Sequence, residues 1–223
     1  MLVARTPSFA EVLARSRFYA LVISSAISMS FLLGYWLFTR RLGSCNLVWN
    51  LFLAWIPYLF ATVARFEDAR SQAGRFTLFV LGLVWLAFFP NAPYLLTDLK
   101  HYLYQEKLTW WYDLGVYLAF ALTGCFLAVA SLEAMQIIVA RRFGAVISWL
   151  FAFGAIALAG VGVYLGRFIR LNSWDVVTQP AKVLDTLNEH VIDPSRRSIG
   201  VSIMFALILL MCHLMFVGRV EED

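Results

Sequence analysis

The chain has 223 residues, of which 61% are hydrophobic and 14% charged, and its formal net charge is +4. Soluble domains carry about 25% charged residues, so this chain lacks the polar surface that water demands, and a bilayer is the solvent that fits. No basic cluster with interleaved aromatics stands out, so the positive charge gives no reason to expect a nucleic-acid partner.

In lipid the backbone must satisfy its own hydrogen bonds, so long apolar segments become helices. A β-barrel would need short alternating strands, whereas these apolar runs are continuous. The expected fold is all-α: a polytopic membrane helix bundle of about six transmembrane helices, with two interfacial amphipathic helices capping one face. A single integral membrane domain over residues 1–223 is expected.

Ser8 and Glu11 form a capping-box pattern ahead of the first run, Phe18–Phe38. That run is long and no small-residue cleavage site clearly follows it, so it reads as a retained helix and not a signal peptide. The second run is Asn46–Val63, with Asn46 and Asn50 at its start and Pro57 inside, where a kink is expected. The third is Ala73–Phe89, and Pro90 and Pro93 end it, because each lacks an N–H and its ring crowds the preceding turn. From Leu95 the pattern is amphipathic, with Leu95, Leu96 and Leu99 on one side and Thr97, Asp98, Lys100 and His101 on the other. This predicts a surface cap over residues 94–105, apolar side down. Trp110, Trp111 and Tyr112 mark the headgroup level, and Asp113 suits the N-terminus of the fourth span, Leu114–Val139. The fifth run is Phe143–Leu165. Arg167, Arg170, Asn172, Trp174 and Asp175 follow, then an apolar stripe predicting a second cap over 181–192. The last run is Ile199–Val217. Spans need about 17–25 residues, so the second and third runs are the marginal ones.

The sequence resembles a known family in "NLVWNLFLAWIPYLFA", "LVWLAFFPNAPYLLTDLKH", "WYDL" and "YLGRFIRLNSWDV". These stretches are similar to a bacterial multi-pass membrane family of unknown function, the domain of unknown function numbered 1361. The resemblance runs from roughly Asn46 to the end, and the PNAPYLLTD block is its most distinctive part. It implies an integral membrane protein, in a bacterial inner membrane, and carries over no catalytic residue.

With the N-terminus inside, nine arginines fall on the inner side and nine lysines or arginines on the outer. The short loops around Arg65–Arg75 and Arg141–Arg142 tip the balance toward a cytoplasmic N-terminus, while the Gly166–Ser198 connection dissents. Both caps then lie on one face. The candidate polar site on it comprises Asn50, Asn91, Tyr94, Asp98, His101, Asp113, Arg167, Arg170, Asn172, Trp174 and Asp175. Asp98 and His101 share a helical face at i, i+3. They read either as a solvated polar face tied down by Asp–Arg pairs or as an acid/base or metal pair. No complete metal set is assigned and the cofactor is unknown. Arg167 and Arg170 suit an anion. Asn50 is either packing glue or the lining of a polar vestibule. Glu133, with Gln136 close by, reads either as a proton-linked carboxylate or as an interfacial polar residue near the end of the fourth span. Cys45, Cys125 and Cys212 lack zinc spacing and read as small core residues.

Small residues recur at helical spacing: Ala155, Ala159, Gly162 and Gly166; Ala121, Gly124, Ala128 and Ser131; and Ala20, Ser24 and Ser28. They predict close helix packing, inside one bundle or across a homodimer or a membrane-protein partner. Three functions fit. The first is a membrane-embedded binding or assembly component using the capped face. The second is an enzyme acting there on a lipid-linked or anionic substrate, though no GxSxG, HExxH or P-loop is present. The third is a small transporter.

Overall fold

The computed structural model describes residues 11–13, 17–40, 45–70, 74–99, 110–171, 175–187 and 194–217. The long helices are α1 (Phe18–Thr39), α2 (Cys45–Ala69), α3 (Arg75–Phe88), α5 (Trp110–Phe143), α6 (Ala145–Tyr164) and α9 (Arg196–Val217). Between α3 and α5 lie a short α4 (Asn91–Tyr94) and a 3₁₀ turn (Leu95–Asp98). Between α6 and α9 lie a π-helical turn (Leu165–Ile169) and the short α7 (Asp175–Thr178) and α8 (Pro180–Leu187). Six helical segments are long and apolar enough to cross a membrane. Their outward faces carry large apolar side chains, among them Phe38, Phe76, Val146 and Met215, each more than three-quarters exposed. Such surfaces suit lipid and would drive aggregation in water.

The hub is α5, which packs against α1, α2, α6, α9 and the broken segment after α3. Of its apolar stretch 67% is buried within the chain, against 17% for α1 and for α9. Its charges complement its dipole, with Asp113 in the first turn and Arg141 and Arg142 in the last. Gly144, at φ 86°, lets the chain reverse directly into α6. Polar ties hold α1 to its neighbours: Ser24 and Ser28 hydrogen-bond Thr123 at 2.7 and 3.0 Å, and the Trp55 indole donates to Ser25 at 3.1 Å. Pro57 lies buried within a continuous α2.

The small-residue stripes of α5 and α6 are consumed inside the chain. Ala121, Ala128, Ser131, Ala155 and Ala159 are all buried. A Cβ on Gly124 would strike the Ala92 carbonyl and the Leu95 side chain, and one on Gly162 would strike the Pro90 ring. These glycines therefore seat the broken segment, and these two faces are not open to a second copy of the chain.

The exit from α3 differs from its expected form. The chain turns at Phe89–Pro90, but Pro90, Tyr94, Leu95 and Leu99 keep right-handed helical dihedrals, and helix resumes at Asn91. Pro90 and Pro93 fall before and within the first turn of α4, where a missing N–H leaves no bond unmade. Nor does this segment show its polar side to water: Thr97 is 7% exposed and Asp98 1%. The bundle covers both of its sides, because glycines on α5 and α6 allow close approach and Asn50 and Arg167 take up Asp98. The rest of the expected first cap, beyond Leu99, and the end of the second, beyond Leu187, lie outside the described residues.

Candidate functional site

The buried Asp98 carboxylate is the centre of the polar cluster. Asn50, about one and a half turns into α2, donates from Nδ2 to Asp98 Oδ2 at 2.7 Å. Arg167, from the π-helical turn, places Nη1 3.3 Å from Asp98 Oδ1 and Nη2 3.3 Å from the Thr97 carbonyl. A guanidinium that bridges a carboxylate and a main-chain carbonyl fixes both position and orientation, which a point-charge ammonium would not. The same guanidinium sits over the Tyr94 ring, 5.6 Å from its centroid, and the Tyr94 ring lies against Gly166. Thr97 closes the turn by donating its hydroxyl to the Tyr94 carbonyl at 2.6 Å. A π turn admits an extra residue into the helical repeat and is often found where a side chain must be re-aimed; here it carries Arg167.

Three helices that are distant in sequence thus meet on one carboxylate. Asn50, Tyr94, Asp98 and Arg167 come together as one cluster. Asn91 is half-buried in the same broken segment, and Asp113 is half-buried at the start of α5. Asp175 is buried at the start of α7, and Arg170 is exposed in a left-handed conformation at φ 62°. His101, Asn172 and Trp174 lie outside the described residues. Among the described residues no group of three His, Cys, Asp or Glu side chains converges as a metal-holding set.

A second set of polar contacts lies at the opposite end of the bundle. His213 Nε2 is 2.9 Å from Gln136 Oε1, Ser148 donates to the Gln136 carbonyl, and His213 is fully buried. Arg17 pairs with Glu133 at 3.6 Å, and Asp68 takes Arg142 at 2.8 Å and Arg141 at 3.7 Å. Sequence reading passed over His213. The signal was there, since an ionisable residue inside an apolar run demands a partner. Glu133 and Gln136 have separate partners here, Arg17 for the first and His213 and Ser148 for the second.

The fold and this internal polar clasp define a polytopic α-helical membrane protein whose third membrane-length segment, Arg75–Asp98, is interrupted at Phe89–Pro90 and held against the bundle. A family model described as a protein of unknown function (DUF1361) matches residues 49–212. The chain belongs to that family, and the match covers all four members of the clasp. No curated protein and no solved structure matches the chain.

Proposed function

We propose that the chain is a membrane-embedded binding or assembly component of a bacterial inner membrane, with its N-terminus in the cytoplasm. In this reading its partner docks on the end that carries the broken segment, α7 and α8. One observation carries it: both oxygens of Asp98 are engaged, one by Asn50 and one by Arg167. A carboxylate held in that way serves to anchor a segment and is poorly placed to exchange protons. The alternative, an enzyme acting on a lipid-linked or anionic substrate with Asp98 as its acid/base group, would need Asp98 to give up one of these contacts to move a proton. The same end exposes Trp111 and Leu184, 68% and 63% accessible, together with Arg170. Aromatic and guanidinium groups of this kind are enriched at the centres of protein interfaces.

Photo-crosslinking in native membranes tests the reading. A photoreactive phenylalanine analogue at Trp111, and separately at Leu184, is expected to give one adduct of the same added protein mass. Adducts to lipid alone at both positions would overturn it. Zinc or another metal retained in stoichiometric amount by the wild type and lost in both Asp98→Ala and His101→Ala would favour the enzyme instead.

A further inference from the structure

The opposite end of the bundle holds a groove with a different chemistry. It lies between α3 and α5, is floored by Phe151 of α6, and encloses about 630 Å³. Its walls are Leu78, Gly82 and Trp85 on one side and Met135 and Ile138 on the other. The charged residues lining it, Arg75 and Arg142, both belong to one end, where α3 begins and α5 finishes. Arg75 is exposed and has no ion pair among the described residues. Asp68 holds Arg142 in place but is shared with Arg141, so positive charge remains in excess. Gly74 caps α3 without a side-chain hydrogen bond and no acidic residue occupies the first turn, so the helix dipole adds to the same potential.

The dimensions match half a bilayer. Arg75 to Trp85 is ten residues, about 15 Å of rise, and the hydrocarbon core is about 30 Å thick. The groove therefore runs from headgroup level to mid-membrane. A hypothetical Cβ on Gly82 meets only the Met135 methyl, at 3.6 Å, so the space beside it is open.

We infer that this groove is a binding site for one anionic glycerophospholipid, with its phosphodiester between Arg75 and Arg142 and an acyl chain laid along Gly82. The site is independent of the reading given for the far end of the molecule. It is tested by native mass spectrometry of the full chain, released from nanodiscs of equal phosphatidylglycerol and phosphatidylcholine. The wild type is expected to keep one lipid per chain, enriched in phosphatidylglycerol. Arg75→Gln, a change at an exposed side chain, should lower that enrichment about fivefold, the usual effect of one basic residue at an anionic surface. Gly82→Phe should fill the groove and remove the retained lipid of both kinds, while Gly154→Phe, where a Cβ meets nothing within 4 Å, should leave it in place. Retained lipid that mirrors the bulk ratio in the wild type would overturn the inference. So would an enrichment unchanged in both Arg75→Gln and Gly82→Phe, or a polypeptide retained in place of lipid.

Discussion

At the scale of single residues, Asp98 dominates the energetics of the broken segment. Removing one member of a buried ion pair leaves the other charge uncompensated, which costs about 3–5 kcal/mol, whereas replacing both with apolar groups is often neutral. Asp98→Ala and Arg167→Ala are each expected to lower stability by about 3–5 kcal/mol in reversible unfolding from mixed micelles. The double variant Asp98→Leu/Arg167→Met should recover most of the loss. A double variant as unstable as the sum of the singles would mean that the pair makes no coupled contribution. Trp85 makes the opposite case. Its ring packs on Phe89 and Phe151 at 4.7 and 5.7 Å, yet its indole N–H is buried with no hydrogen-bond partner among the described residues. Trp85→Phe keeps an aromatic ring and deletes the orphaned donor, whose burial costs about 1–3 kcal/mol. The variant is expected within about 1 kcal/mol of wild type in the same assay, and a large loss would mean that the N–H has a partner.

At the scale of elements, the glycines of α5 and α6 decide where the broken segment lies. Gly162→Leu puts side-chain atoms where the Pro90 ring sits, and Gly124→Val does the same to Ala92 and Leu95. Overpacking of this kind costs about 1–3 kcal/mol, and here the segment can yield by lifting away from the bundle. Thr97→Cys in a background lacking the native cysteines should resist a water-soluble maleimide, then react at least about tenfold faster once Gly162→Leu is added, as expected for about 1.4 kcal/mol of displacement. Equal protection in both backgrounds would mean that the segment does not depend on that glycine for its seat.

What the sequence made legible at this scale follows from the same physics. The six apolar runs were readable because a lipid span needs an unbroken apolar stretch, and that need is local. The depth of Asp98 was not, because an amphipathic pattern assumes water on one side of a helix. The side that should have met water instead meets Arg167, a partner 69 residues away. The small-residue stripes were readable as close-packing surfaces, but their occupant was not. Only the fold brings Pro90 to Gly162 and Leu95 to Gly124.

For the whole molecule, the arrangement of charge bears on orientation. Arg17, Arg65, Arg70, Arg75, Arg141 and Arg142 lie at the end that carries the α2–α3 and α5–α6 turns. That end also holds the arginine-lined groove. Short, arginine-rich turns favour the cytoplasmic side; in the orientation proposed above, the Asp98 clasp and the exposed Cys45 face the other compartment. Cys45 is exposed at the start of α2, whereas Cys125 is buried and Cys212 sits half-buried within α9. A membrane-impermeant maleimide added to intact spheroplasts is therefore expected to label Cys45. In Cys45→Ser/Ala145→Cys, with the new thiol at the exposed first residue of α6, labelling should appear only after the membrane is opened. The reverse pattern would invert the molecule. It would also move the proposed phospholipid site to the outer leaflet, and with it the source of the lipid that fills the groove, while leaving the clasp and the packing of the bundle as they are.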